Sequence, residues 1–253
     1  MSRITRTVVV LAAALACALA MTGAADASLT RHGAVTCGNG HTLRSGSYRS
    51  VRVTGLCMLG NRAYVVVRQN MVVGHHGAFN AITHGHITVR GDLRVRSGGI
   101  AAIGCAPSAG CDVTTNDRIN GNVIARGARS MIFHATKVLG NFVEMGGGGG
   151  VNCNNDPVTQ GPDYTTYEDG RIGGNFVIQY VRSCWFGIFR TNVGGSVIIK
   201  HNRWADPDAD EVQTNIIHGN LICRDNNPAP QQGDSGGNPN QVFGRKVGQC
   251  RSL

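Results

Sequence analysis

One short phrase recurs along this chain and constrains its fold more than any other feature. It consists of Ile or Val, a spacer residue, Gly, Asn or Ser, and two apolar residues. The copies read INGNVI, VLGNFV, IGGNFV, VGGSVI and IHGNLI, and a looser copy, VRGDLR, precedes them. Their glycines, at positions 121, 140, 174, 195 and 219, are 19, 34, 21 and 24 residues apart. A period near 20 residues indicates a solenoid in which each coil is one repeat, and the larger step indicates an insertion.

The residues around each glycine alternate in a way typical of strands. Apolar residues stand two positions before and two after it, as Ile119 and Val123 do, and side chains two apart on a strand share a face. β-branched and aromatic types dominate, and no helix-forming stretch follows residue 27. The sequence therefore predicts an all-β chain, folded as a single-stranded right-handed parallel β-helix with disulfide-closed ends. A β-sandwich is the alternative, although it does not require Gly-Asn at this period.

The Gly-Asn pair has a physical reason in such a fold. Gly permits a tight bend where a Cβ would collide with the neighbouring coil. Asn tolerates the same bend, and its amide can bond to the equivalent residue of the next coil. Ser196 and Asp92 are expected to interrupt this ladder. The predicted turn residues are Gly121, Asn122, Gly140, Asn141, Gly174, Asn175, Gly195, Ser196, Gly219 and Asn220.

The N-terminal residues 1–27 predict an export signal that is cleaved. Arg3 and Arg6 precede a short apolar stretch, and Ala25-Asp26-Ala27 has the form of a cleavage site. The mature chain is therefore expected to be secreted, without a further membrane span.

The remaining residues, 28–253, predict a single β-helix domain. Within it, residues 31–57 are expected to cover one end of the solenoid and residues 224–253 the other. Residues 146–170 contain few apolar side chains and are expected to form an inserted loop. We expect this domain to be a monomer.

Eight cysteines follow the predicted signal, and an even number indicates four disulfides in an oxidising compartment. Eight cysteines allow 105 pairings, so the connectivity stays open, with pairing of sequence neighbours favoured. No two are spaced Cys-x-x-Cys, which argues against a zinc site. The favoured pairs are Cys37–Cys57, Cys105–Cys111, Cys153–Cys184 and Cys223–Cys250.

The GNV, GNF and GNL turns, the closing GNLICRDNNPAP…NQVFGRKVGQC and the pair Cys37 and Cys57 resemble a family of secreted actinobacterial β-helix proteins. The resemblance is good over roughly residues 115–253 and looser before, where GIAAIGCAPSAGCDVTTND departs from the usual spacing. It implies fold and export but no chemistry, because the family has no established activity. More distantly, the architecture is similar to that of polysaccharide lyases and polygalacturonases, an analogy of fold alone.

The catalytic patterns of β-helix enzymes are weak in this chain. Hydrolysis of a glycosidic bond needs two carboxylates facing one sugar, and no carboxylates recur at matching repeat positions. A lyase would use Ca²⁺ beside a Lys or Arg base. Asp206, Asp208 and Asp210 are weak candidates for such a metal site, and a solvated acidic loop explains them better. We predict no catalytic residues, no metal site and no cofactor. Four crowded histidines are interpreted as surface-loop residues: His75, His76, His84 and His86.

Charge is distributed unevenly along the chain. Residues 31–137 carry thirteen Lys or Arg against three Asp, a balance of +10, whereas residues 138–253 have a balance of −2. The basic half is expected to attract polyanions. A finer pattern concerns the residues five positions after each repeat Gly, whose side chains are expected to point outward from the strand. Four of its six residues are basic and are predicted to form a binding stripe: Arg96, Arg126, Lys200 and Arg224.

Two interpretations of this stripe are open. Outward strand ends often carry Lys or Arg for solubility and edge protection, but cations on coils about 4.8 Å apart also suit an extended anionic chain. The leading prediction is a secreted, non-enzymatic module, associated with the cell surface or wall, that binds an anionic polysaccharide or another polyanion. The alternative is a polysaccharide lyase acting on uronate polymers.

Overall fold

The computed structural model describes residues 29–155 and 160–253, and in these ranges the chain is all-β. The helical structure in this part is a single 3₁₀ turn, Pro107–Ala109. No helix in the described ranges is long and apolar enough to cross a membrane. The predicted export signal, residues 1–27, lies outside the described residues.

Strands fill the chain on both sides of that turn. Those before it are β1 (Arg31–Cys37), β2 (His41–Leu43), β3 (Gly46–Val53), β4 (Leu56–Leu59), β5 (Tyr64–Val67), β6 (Met71–Val73), β7 (Ala78–Ala81), β8 (His86–Val89), β9 (Leu93–Val95) and β10 (Ile100–Ile103). The next nine are β11 (Arg118–Ile119), β12 (Val123–Arg126), β13 (Ser130–His134), β14 (Lys137–Val138), β15 (Phe142–Met145), β16 (Tyr164–Glu168), β17 (Arg171–Ile172), β18 (Phe176–Gln179) and β19 (Arg182–Ser183). The last nine are β20 (Trp185–Phe189), β21 (Asn192–Val193), β22 (Val197–Lys200), β23 (Arg203–Trp204), β24 (Glu211–Gln213), β25 (Ile216–Ile217), β26 (Leu221–Arg224), β27 (Gln241–Val242) and β28 (Lys246–Gly248).

Most strands recur in groups of three, of which two join an 18-stranded sheet and the third joins an 8-stranded sheet, while β19 and β23 pair in a separate two-stranded sheet. Each strand pairs in parallel with its counterpart one group later, so that Phe142 lies between Val123 and Phe176. Counterparts are thus stacked about 4.8 Å apart. The long strands β1 and β3 run through the first and second of three stacks. We name these stacks the first row (β5, β8, β11, β14, β17, β21, β25, β27), the second row (β6, β9, β12, β15, β18, β22, β26, β28) and the third row (β2, β4, β7, β10, β13, β16, β20, β24).

The three rows share one apolar core. Ile119, Val123 and Phe133, one from each row of the same group, are at most 1% exposed and belong to a single cluster. Farther along, Phe142 stacks on Phe176 with ring centroids 5.0 Å apart. Burial of each such side chain stabilises the fold by about 1.5–3 kcal/mol. The alternation seen in the sequence thus determines which face of each strand is buried.

The Gly-Asn corners between the first and second rows carry a hydrogen-bond ladder. The backbone N–H of Asn141 donates to Asn122 Oδ1 at 2.9 Å, and that of Asn175 donates to Asn141 Oδ1 at 2.8 Å. Asp92 and Ser196 continue this ladder, and the prediction that they interrupt it is wrong. A carboxylate or hydroxyl oxygen accepts a backbone N–H as an amide oxygen does, so the ladder requires an oxygen rather than an amide.

The glycine of each copy leaves room for that ladder. A Cβ at Gly174 would lie 2.4 Å from Asn141 Oδ1, and a Cβ at Gly140 would lie 2.5 Å from Asn122 Oδ1. The neighbour that excludes a side chain is therefore the ladder oxygen of the preceding repeat, which its own hydrogen bond holds in place.

Two buried ladders occupy the other corners, and the repeat pattern did not predict them. Asn202 Oδ1 accepts the backbone N–H of Val181 at 2.9 Å, and Asn226 Oδ1 accepts that of Asn202 at 3.1 Å. Asn215 Oδ1 accepts the N–H of Thr191 at 3.1 Å. The three asparagines are at most 5% exposed. Their amides therefore satisfy backbone groups that no water can reach.

The segments predicted as covers contribute strands to the stack. Residues 31–57 contain β1, β2, β3 and the start of β4, and residues 224–253 contain β27 and β28, which add a rung to the first and second rows. Leu253 is buried against the core at that end. The predicted loop 146–170 is interrupted by β16, a third-row strand paired with β13 and β20.

Four disulfides fasten the described chain. They join cysteines that are neighbours in the sequence: Cys37 with Cys57, Cys105 with Cys111, Cys153 with Cys184 and Cys223 with Cys250.

Candidate anion-binding site

The four predicted stripe residues stand in one outward line of the second row. Met145 and Gln179 divide this line into two basic pairs. The pairs are three rungs apart, about 14 Å at the usual strand spacing. In register order the line reads Arg96, Arg126, Met145, Gln179, Lys200 and Arg224.

The pair Arg96 and Arg126 borders a solvent-open cleft of about 510 Å³. Arg94 joins it from the adjacent outward position of β9, directly opposite Ile124 in the strand register. Ile124 gives the cleft an aliphatic surface, and His75 lines it as well. Three arginine residues therefore line one cleft. We name Arg94, Arg96, Arg126, His75 and Ile124 the arginine cleft.

Two of the three arginines keep their charge available. Arg94 Nη2 contacts Asp92 Oδ2 at 3.0 Å. Within residues 29–155 and 160–253, the side chains of Arg96 and Arg126 form neither an ion pair nor a hydrogen bond with the protein. Burial alone would raise the pKa of Asp92, but hydrogen bonds from Asn122 and Arg94 outweigh it and lower that pKa. The cleft thus presents two uncompensated guanidinium groups beside one that is already paired.

The position of these arginines in the sheet bears on one part of the first interpretation, edge protection, and leaves solubility open. β9 pairs with β6 and β12, and β12 pairs with β9 and β15, so both strands are internal. Edge protection by charged residues applies to strands with a free edge. It therefore does not account for Arg96 or Arg126.

The second basic pair lies outside the cleft. Lys200 and Arg224 are neighbours at the ends of β22 and β26. Beside them, His201 Nδ1 lies 3.3 Å from Asp225 Oδ2, so a carboxylate offsets part of the local positive charge. The four-residue stripe is therefore one cleft pair and one separate pair, rather than a continuous line of cations.

The structure buries one of the three aspartates that were the weak metal candidates and leaves the other two together in a loop. Asp210 is fully buried, whereas Asp206 Oδ1 accepts the backbone N–H of Asp208 at 3.0 Å in the loop. Oxygens of Asp208, Glu211 and Asp234 lie within 4.8 Å of one another. Desolvation and the neighbouring carboxylates raise the pKa of Asp208. This acidic group belongs to the third row near β24, three or more rungs from the arginine cleft.

Sequence reasoning missed three members of the arginine cleft, Arg94, His75 and Ile124. Arg94 stands two positions before Arg96, on the same outward parity of β9, so the alternation that selected Arg96 also points to it. His75 belongs to the segment interpreted as a surface loop, and its place beside the cleft follows from the turn between β6 and β7. No sequence period indicates that contact.

The arginine cleft suits the recognition of carboxylates. A guanidinium group offers a planar fork of donors that matches a carboxylate in a bidentate pair. The aliphatic Ile124 offers a surface for the C–H face of a sugar ring.

No family model matches this chain, and the comparisons with curated proteins and with solved structures also found no match.

Proposed function

We propose that the three rows close into a right-handed parallel β-helix and that the mature protein is secreted. The parallel connections support the handedness, because a β-strand, crossover and parallel β-strand in one sheet is right-handed in about 98% of cases. Four disulfides and the signal-like N-terminus support export. A β-type circular dichroism spectrum without helix tests the fold, and the mass of the secreted chain tests cleavage after Ala27.

We further propose that the protein is a non-enzymatic extracellular module that binds an acidic polysaccharide at the arginine cleft. The observation that carries this proposal is the convergence of Arg94, Arg96 and Arg126 on one open cleft, with two of them unpaired. Like charges held close together cost free energy. An anionic ligand would remove that cost and supply the missing partners.

The alternative, a polysaccharide lyase, requires a base and a cation site at the same uronate. The acidic group of Asp208, Glu211 and Asp234 lies about 14 Å or more along the stack from Arg126, and on a different row. The carboxylate beside the cleft, Asp92, is already bound by Arg94 and Asn122. This separation favours binding without cleavage.

An acidic polysaccharide fits the cleft better than a nucleic acid. Proteins that hold single strands stack the bases on aromatic side chains. Among the described residues, no Phe, Tyr or Trp lines the arginine cleft, in which Ile124 and the ring of His75 accompany the arginines. The ligand class proposed is therefore a chain of uronate sugars, whose carboxylates would pair with Arg96 and Arg126.

The test is titration of the protein with sodium polygalacturonate at increasing salt. We expect affinity to fall steeply with salt, because each neutralised charge releases a counterion. The double variant Arg96→Glu/Arg126→Glu should bind at least about tenfold more weakly. The matched control, Arg49→Glu/Arg62→Glu, makes the same change in net charge outside the cleft and should bind like the parent protein.

Three results would contradict the proposal. Equal losses in the two double variants would leave only net charge as the cause. Tighter binding of single-stranded DNA or polyphosphate than of polygalacturonate would show that the ligand is not a chain of uronate sugars. Unsaturated uronate ends that absorb in the ultraviolet would show a lyase rather than a binding module.

A further inference from the structure

A second line of cations crosses the first row of the stack. The register places Arg118 opposite Lys137, and Lys137 opposite Arg171. All three side chains are exposed, and they follow one another on consecutive rungs without a neutral residue between them. We name Arg118, Lys137 and Arg171 the first-row triad. It is more regular than the stripe on the second row.

The carboxylates next to the triad are already occupied. Asp117 is buried, and its oxygens accept the N–H of Ile87 at 2.7 Å and the hydroxyl of Thr115 at 2.7 Å. Asp169 is bound by Arg190 and by Ser108. In the part of the chain that the structure describes, none of the three cations forms an ion pair, and Arg118 donates only to Asn120.

Such a line is unfavourable for the protein alone. Like charges directly opposite on paired strands repel each other and destabilise the sheet. Because β11, β14 and β17 are internal strands, edge protection does not explain the triad. A linear polyanion running along the stack would meet one cation on each rung.

The triad and the arginine cleft face away from each other across a corner. Arg118 and Arg126 belong to consecutive strands of one repeat, on either side of the Gly-Asn corner. The inward residues of these strands, Ile119 and Val123, both pack into the same core. Outward side chains of the two rows must therefore diverge, and one straight polymer segment cannot lie along both.

We propose that the first-row triad is a second binding surface for acidic polysaccharide and that one protein molecule bridges two polymer segments. This inference rests on the proposed function, because it assumes the same ligand class. The module then acts as a cross-linker: the arginine cleft holds one segment and the triad holds another. Bridging follows from two surfaces on a single rigid chain and needs no oligomer.

Two measurements on the full-length mature protein test this. Calorimetric titration with a short oligogalacturonate counts binding sites, and light scattering with long polygalacturonate reports bridging. We expect two oligomers per protein and a rise in scattering at intermediate protein-to-polymer ratios. The variant Lys137→Glu/Arg171→Glu should bind one oligomer and produce no rise, while the cleft variant Arg96→Glu/Arg126→Glu should behave likewise. The control Arg49→Glu/Arg62→Glu should match the parent protein.

The outcomes separate the two proposals. If the triad variant still binds two oligomers and still cross-links, the second surface is wrong while the cleft proposal stands. If the parent protein binds no oligomer, the proposed function itself fails. Thermal melting checks that each variant is folded, and Lys137→Gln/Arg171→Gln replaces the reversal variant should that one unfold. With this milder pair, we expect scattering to fall at least about threefold, and an unchanged signal would overturn the inference.

Discussion

In the N-terminal half, residues 31–137, nearly all charged side chains lie outside a mainly aliphatic core, whereas the C-terminal half, residues 138–253, buries several carboxyl and amide groups among aromatic rings. The first half carries a balance of +10 and the second −2. Asp117, a buried carboxylate of the first half, has both oxygens hydrogen-bonded. Among the described residues of the second half, Glu144 is bonded by Thr165 alone, and Asp210 is fully buried beside the indole of Trp204.

The difference separates two tasks. The first half carries most of the positive charge that a ligand can reach, so substitution of its exposed arginines should alter binding more than stability. The second half holds its polar groups where only the protein can satisfy them, so its substitution should alter stability and the dependence of stability on pH. Three predictions, taken from the largest expected effect, can break or sharpen this contrast.

The largest effect is expected at a ladder glycine. In Gly174→Val the new Cβ would lie 2.4 Å from Asn141 Oδ1, which the N–H of Asn175 holds in place. We expect a loss of about 4 kcal/mol or more in the free energy of unfolding, measured by denaturant titration. The control is Gly33→Val on β1, where a Cβ would meet nothing within 4 Å. Similar losses in both variants would show that the ladder oxygen is not the obstacle.

The second effect is a pH dependence that originates in the C-terminal half. Burial raises the pKa of Glu144 from 4.5 to about 8. The folded state therefore binds a proton that the unfolded state has lost, so stability is full below pH 4.5 and falls as the pH rises towards 8. Between pH 5 and 8 this amounts to about 3 kcal/mol. The variant Glu144→Gln, neutral at every pH, should lose this slope in denaturant titrations.

A companion variant sharpens the assignment. Thr165 donates the hydrogen bond that lowers the pKa of Glu144, so Thr165→Val should raise that pKa and extend the loss of stability to higher pH. If stability still falls with pH in Glu144→Gln, another group causes the pH dependence. Asp210 is then the next residue to replace, because burial raises its pKa as well.

The smallest effect compares buried and exposed amides. Asn202→Ala removes the acceptor of the Val181 N–H and leaves a buried donor unsatisfied, which should cost about 2–3 kcal/mol. Asn175→Ala removes the acceptor of the Ser196 N–H at an exposed corner, where water replaces it, and should cost about 1 kcal/mol or less. Thermal melting of the two variants measures the difference. Equal losses would mean that burial does not control the strength of the ladders.

Much of the local structure could be predicted because it depends on short-range patterns. Alternation around each glycine identified which residues of β12, β15 and β18 face the core. The ladder was predicted at the right corners, but its chemistry was not. Asp92 and Ser196 look like interruptions in a row of asparagines, yet any oxygen that accepts a backbone N–H continues the ladder.

The candidate site was predicted only in part. The five-residue offset from the repeat glycine selected Arg96 and Arg126, but it joined them to Lys200 and Arg224, which lie elsewhere on the row. The first-row triad obeys a similar rule, since Arg118, Lys137 and Arg171 each stand three residues before a repeat glycine. This three-residue offset did not lead to a prediction of the triad, because β11, β14 and β17 are two residues long and a two-residue strand shows no alternation.

The sequence by itself determined the repeat, the strand-rich character, the facing of apolar side chains and the distribution of charge, because each depends on residues a few positions apart. Tertiary structure alone decided which residues meet across repeats. It made β16 a strand inside a polar insertion, since pairing with β13 and β20 offsets its weak local pattern. It also brought Arg94, Arg96 and Arg126 to one cleft. Insertions of different length between repeats change how far apart equivalent residues are in the sequence. Strand register nevertheless keeps these residues at the same distance in space.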